Sequence, residues 1–146
     1  MASGCPFCNG PGLASRLIHD GPLVRSFLSR PRLRAYPGHL LVIPVEHYTT
    51  VADLPDIVAG AMQREVGRLI ARLRDVRPSF SHLTFSKEEL GGVKNGIRQD
   101  HIHHHILPMA PSAVRTTRLD WADGDFCTPS IDELALWAGI FSRSLV

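Results

Sequence analysis

The sequence predicts an α+β domain, with strand-like segments on either side of one long amphipathic helix and a second helix near the C-terminus. Three observations carry that prediction. His39-Leu40-Leu41-Val42-Ile43-Pro44 reads as a strand buried on both faces and closed by proline. Val58, Met62, Val66, Leu69, Leu73 and Val76 recur at helical spacing and make one apolar stripe. Ser130 with Glu133 three residues later is a capping box that opens a last helix. At 146 residues the chain fits one core, so residues 1–146 are read as a single domain.

The elements follow in order. Residues 4–12, Gly-Cys-Pro-Phe-Cys-Asn-Gly-Pro-Gly, are turn chemistry throughout. Leu23 to Leu28 is a strand, and Tyr36-Pro37-Gly38 is the turn before the buried strand. The long helix starts near Asp53-Leu54-Pro55, where proline suits a first turn because its missing N–H would have no partner there. Arg64, Arg68, Arg72 and Arg74 fall on its polar side as a solvated face, and Arg77-Pro78 ends it. Phe80 to Phe85 is a third strand, and residues 88–98 are a polar loop. His101 to Leu107 is a fourth strand, stopped by Pro108. Residues 109–129 are irregular, and Leu134, Trp137, Phe141 and Leu145 supply the apolar side of the last helix.

Composition narrows the function. The net charge of +2 is too small for a concentrated basic face, so no nucleic-acid partner is expected, while a small anionic substrate needs only a few local donors. No apolar run approaches the roughly 20 residues of a membrane helix. The N-terminus has neither a basic nor an apolar targeting segment, and three cysteines make no disulfide scaffold. A cytoplasmic protein without a membrane partner is the expectation.

The chemistry concentrates in His101-Ile102-His103-His104-His105. Side chains on a strand alternate faces, so His101, His103 and His105 share one face and His104 lies on the other with Ile102 and Ile106. Three imidazoles along one face are costly to bury unless each finds a partner, which points to a site. Imidazole is a competent nucleophile near neutral pH and can displace a leaving group from phosphorus. A neighbouring histidine can donate a proton or a hydrogen bond. His104, facing away, is a packing histidine.

Cys5-Pro6-Phe7-Cys8 has two readings. Thiol exchange would want a strand before the pair and a helix after it. Half of a tetrahedral zinc site would want two further ligands, and His47 and His101 are available. Cys127 stands alone as a free thiol.

Together these residues resemble the histidine triad superfamily of nucleotide hydrolases and transferases. The resemblance rests on His101-Ile102-His103-His104-His105-Ile106-Leu107, on Pro37-Gly38-His39-Leu40-Leu41-Val42-Ile43-Pro44-Val45-Glu46-His47, and on Cys5-x-x-Cys8, which matches the zinc-containing branch. It covers residues 5 to about 110 and leaves 111–146 as a C-terminal extension without a matching motif.

The resemblance implies an antiparallel sheet of about five strands with the long helix packed across it, usually paired into a homodimer. It implies that His103 is a nucleophile that becomes nucleotidylated, with His105 and His39 in the hydrogen-bonded network around it. It implies that His101 joins Cys5, Cys8 and His47 on a structural Zn2+. The substrate would be a nucleoside phosphoramidate, a dinucleoside polyphosphate or a related nucleotide. A binding module without catalysis is the competing expectation.

Three departures from the family pattern concern the substrate. The Gly-Gln pair usual before the nucleophile is absent at its spacing, which leaves Asn95 and Gln99 as candidates for phosphate or leaving-group contacts beside His105. Pro31 stands where a ribose-binding Asp or Asn is usual, so an arginine of Ser29-Arg30-Pro31-Arg32 is expected to read extra phosphate. Met109 replaces an arginine often found after the strand's proline.

Overall fold

The computed structural model describes residues 5–9, 12–88, 93–94, 97–98, 100–112 and 126–142. In chain order the elements are α1 (Pro6–Asn9), β1 (Leu17–Asp20), β2 (Val24–Leu28), β3 (Arg32–Leu33), β4 (Leu40–Pro44), α2 (Asp56–Val76), β5 (Ser81–Lys87), β6 (Val93–Lys94), β7 (Ile97–Arg98), β8 (His103–Met109), β9 (Phe126–Cys127) and α3 (Ile131–Ser142). Single 3-10 turns occupy Ala14–Arg16 and Val51–Asp53.

The principal sheet has five strands in the order β1-β2-β4-β8-β5. Every pairing in it is antiparallel. This is the expected α+β architecture. β4 lies at its centre, which explains why Leu40, Leu41, Val42, Ile43 and Pro44 are all buried and why the segment reads as a continuous apolar run. Alternation then sends its side chains to two separate cores. Leu40 and Val42 join Val24, Leu28 and Ile106 beneath Met62, Val66, Leu69 and Leu73 of α2. Leu41 and Ile43 join Phe27 and Leu13 on the opposite face.

The long helix starts later than expected. Val51–Asp53 forms a 3-10 turn whose Ala52 N–H donates to the Thr50 hydroxyl. Pro55 caps the helix proper, which runs from Asp56 and ends at Val76 before Arg77 and Pro78. Trp137, Ile140 and Phe141 of α3 pack into the same core as the α2 stripe. The α3 cap is formed as expected, with the Glu133 N–H donating to the Ser130 hydroxyl at 3.1 Å. Of the four helix arginines, Arg64 and Arg74 are exposed, but Arg68 and Arg72 are not simply solvated. They donate to the carbonyls of Phe141 and Ile140 in the last turn of α3. Cations are favourable at the carbonyl end of a helix.

Two strand ends differ from expectation. His101 and Ile102 precede β8 as a bend, tied by the Ile102 N–H to the Tyr48 carbonyl at 2.7 Å. Pro108 does not stop the strand, which continues through Met109. The pairing of β4 with β8 ends at Ile106, while β5 follows β8 as far as Met109. Pro108 therefore sits where β8 has a partner on one flank only, the position in which a strand tolerates a residue without an N–H. β1 and the short β3–β9 pair carry too few alternating residues to be visible in the sequence. Residues 4–12 are also not turn alone, because Pro6–Asn9 makes one helical turn with proline at its first position.

One buried charge interrupts the α2 stripe. Glu65 accepts from Ser26 of β2 at 2.6 Å and from Arg68 at 2.8 and 2.9 Å. Burial pushes its carboxyl up, but these hydrogen bonds and the Arg68 charge outweigh that and leave it below its usual value. A carboxylate with a depressed folded pKa stabilises the protein above its unfolded pKa, and the contribution is lost as pH falls through the folded value. Glu65→Ala is expected to cost about 2 kcal/mol near pH 7, held down by the partial exposure of Arg68. The gap in melting temperature between wild type and variant should narrow below about pH 4. Thermal melts at stepped pH measure this, and a gap that does not change with pH would refute the ionised pair.

Candidate active site and metal centre

His39, His103 and His105 converge on the sheet face opposite α2. The first comes from the turn before β4 and the other two from β8. Gly38 sets the approach of His39. Its φ is +85°, and a Cβ there would lie 2.6 Å from the Trp137 ring, so both the backbone and the packing require glycine. His39 is then held by its own N–H on the Tyr36 carbonyl and by its carbonyl on the Ser29 N–H at 2.8 Å.

The hydrogen bonds assign the tautomers. The Leu33 N–H donates to His39 Nδ1 at 3.4 Å, so the His39 proton is on Nε2. His39 Nε2 lies 2.8 Å from His105 Nδ1 and donates to it, which leaves the His105 proton on its own Nε2. His103 is arranged the other way. Its Nδ1 lies 2.8 Å from the His101 carbonyl and donates to it, so Nε2 carries the lone pair. The His103 and His105 rings stand 4.9 Å apart, edge to face. Phe85 stacks on His105 at 4.9 Å and 14°, and Phe7 meets His103 edge-on at 5.4 Å.

Burial keeps the supporting imidazoles neutral. His39 is pushed down to about 3, first by burial and then by the charges of His103 and Arg32. His105 is also pushed far below its usual value, again by burial first and then by neighbouring positive charge. The pair is therefore a relay of neutral rings and not a source of net charge. His104 lies on the other face as expected, between the hydroxyls of Thr84 and Ser86.

Beside this site Cys5, Cys8, His47 and His101 bring one ligand atom each to within 4.8 Å of one another. His101 Nδ1 is 3.5 Å from Cys5 Sγ and 3.4 Å from Cys8 Sγ, and His47 Nδ1 is 3.4 Å from Cys8 Sγ. In a tetrahedral zinc site with Zn–S near 2.3 Å and Zn–N near 2.0 Å, adjacent sulfur and nitrogen atoms lie about 3.5 Å apart, so these edges fit. The outer nitrogens fit as well. His101 Nε2 is 2.9 Å from the Pro44 carbonyl, and His47 Nε2 is 3.4 Å from Asp100 Oδ1. The carbonyl partner turns the other His101 ring nitrogen toward a metal. Burial pushes the Cys5 thiol up, so a thiolate there needs a positive charge beside it. The donor set thus suits a divalent cation of the zinc type.

The model of the HIT domain family matches residues 14–112. The chain belongs to the HIT domain family. Similar solved structures include a hypothetical histidine triad nucleotide-binding protein of Sulfolobus tokodaii, 14% identical, covering 94% of this chain and 89% of the other, with a TM-score of 0.68. A zinc-bound histidine triad family protein of Mycobacterium smegmatis is 19% identical, with 94% and 93% covered and a TM-score of 0.65. A histidine triad protein of Bradyrhizobium japonicum is 17% identical, with 88% and 90% covered and a TM-score of 0.66. At these identities the likeness concerns the fold. A search of curated proteins found no match.

Other expected site residues are placed differently or not at all. Asn95 and Gln99 lie outside the described residues. Arg32 is not poised to read phosphate, because its guanidinium is forked onto Glu133 with two bonds of 2.6 Å and onto the Leu33 and Arg34 carbonyls. Met109 is buried with Leu33, Tyr36 and Leu107. Asp100, Phe7 and Phe85 were not foreseen as site residues. Asp100 adjoins His101 in sequence, and the run Gln99-Asp100-His101 was the available hint. Among the described residues no helix is long and apolar enough to cross a membrane.

Proposed function

We propose that this HIT domain is a cytoplasmic, homodimeric enzyme that cleaves a phosphoramidate or phosphoanhydride bond of a nucleotide through a nucleotidyl-histidine intermediate. One observation carries the reading. His103 Nδ1 is spent on the His101 carbonyl at 2.8 Å, which leaves the lone pair of the ring on Nε2.

In the first step His103 Nε2 attacks phosphorus, the His103–phosphorus bond forms, and the bond to the leaving nitrogen or oxygen breaks. The leaving atom takes a proton from solvent as it departs, and the water that attacks in the second step returns one. The positive charge that develops on the His103 ring is met by the His101 carbonyl. His105 presents Nε2–H, backed by His39, and donates to the substrate as charge builds on its oxygens. In the second step water attacks phosphorus and releases His103, or another acceptor does so in a transferase. Asn95 and Gln99 are assigned to phosphate or leaving-group contacts.

Cys5, Cys8, His47 and His101 would hold a structural zinc. The metal would supply a cross-link between the N-terminal turn and the bend before β8. Bound there, it would steady the backbone whose carbonyl accepts from His103, in a structural role. The whole chain, 1–146, is assigned to one domain, with α3 completing its core.

A brief pulse with a nucleotide panel followed by mass spectrometry tests the reading. The expected product is one nucleotidyl group on His103. Tight binding with neither adduct nor turnover across the panel would favour a non-catalytic nucleotide-binding module instead.

A further inference from the structure

We infer that Lys87 meets the phosphate of the substrate opposite His103 and is a further substrate-contacting residue of this site. The inference rests on the nucleotide reading above.

The register places it there. β5 runs antiparallel to β8, with Lys87 directly opposite His103 and Phe85 directly opposite His105. Directly opposed residues of an antiparallel pair project from the same face, with Cβ atoms about 4.5–5.5 Å apart. Phe85 already shows this by stacking on His105. Lys87 is the last residue of β5 and is half-buried. Its charge is felt at His105, whose pKa burial and neighbouring cations push down, Lys87 among them.

Charge balance gives the residue its task. The attacked phosphorus bears at least one negative oxygen, and more negative charge gathers on its oxygens as the bonds exchange. The relay behind His103 cannot neutralise this, because His39 and His105 are held neutral by burial. Two nearby arginines are committed elsewhere. Arg32 is forked onto Glu133, and Arg16 donates to the Gly12 and Leu28 carbonyls. Strand pairing starts the Lys87 side chain on the nucleophile's own face. A compact cation with rotatable donors on a flexible stem can follow a phosphoryl group as it moves between leaving group and histidine.

The experiment compares wild type, Lys87→Met and Lys87→Arg in binding four nucleoside 5′-monophosphates and the four uncharged nucleosides, with a thermal melt of each protein. Wild type should bind at least one monophosphate more tightly than its nucleoside. Lys87→Met should lose about 10- to 100-fold in monophosphate affinity while nucleoside affinity stays unchanged. Lys87→Arg should keep most of the preference. Should methionine disturb folding, Lys87→Gln must show the same selective loss. Monophosphate binding as tight in the folded neutral variant as in wild type would overturn the role of Lys87. Wild type that binds none of the eight compounds would overturn the nucleotide reading and this inference with it.

Discussion

In a His103→Ala variant, turnover of every nucleotide substrate is expected to fall by at least about a thousandfold, with no adduct on the protein after a pulse. The size follows from the role. A nucleophile takes part only as the bond to phosphorus forms, so its removal acts on the barrier and barely on ground-state binding. Affinity for a nucleoside monophosphate should therefore stay within a few-fold of wild type while kcat collapses. The neighbouring ring gives the contrast. His105→Gln keeps a donor near the position of Nε2 but breaks the link from His39 to Nδ1, and it should lose about a hundredfold in rate. As His105 is proposed to contact substrate, part of that loss should appear in KM. Single-turnover kinetics with each variant separate the two effects. An adduct on another residue in the His103 variant, or turnover near the wild-type rate, would remove His103 from the mechanism.

The sequence made the centre of this site legible and left its edges unread. His103 and His105 could be placed on one face because strand alternation is strict, and Leu40 to Pro44 could be placed at the sheet centre because only a doubly covered strand is apolar at every position. His39 is legible only through the Pro37-Gly38 turn before it, whose positive φ and contact with Trp137 no composition argument reaches. The strand ends were misread because propensity is local while pairing is not. Pro108 looked like a stop, yet β5 carries β8 past it. Phe85 looked like the end of β5, yet pairing continues to Lys87 and so brings a cation opposite His103. Glu65 was hidden for a related reason. It lies beside the α2 stripe in sequence with Arg68 one turn on, and only the crossing of α2 over β2 brings Ser26 to it. Arg32 was open to a substrate role until Glu133, 101 positions away, was found to occupy it.

Removal of the proposed metal should be the largest stability effect. Protein purified without chelator is expected to hold one zinc per chain, and Cys8→Ser should hold none. Metal binding by a set of ligands that exists only in the folded chain is itself folding free energy. Apolar cores on both faces of the sheet also stabilise the fold, so only part of that energy is expected to be at stake here. A loss of about 3 kcal/mol, or about 10 °C in Tm, is expected from Cys8→Ser or from chelation, and added zinc should reverse the latter. The rate should fall as well, by less than in His103→Ala. With the metal bound, the four ligands would tie α1 to the bend at His101, whose carbonyl accepts from His103. Once loosened, that carbonyl lets the His103 ring turn and spend its Nε2 lone pair elsewhere, so kcat should drop while nucleoside affinity holds. The opposing idea, thiol exchange at Cys5 and Cys8, predicts a reversible disulfide and no stoichiometric zinc. Metal analysis and thiol titration of the same sample decide between them, since two thiolates held by zinc resist alkylation until a chelator is added.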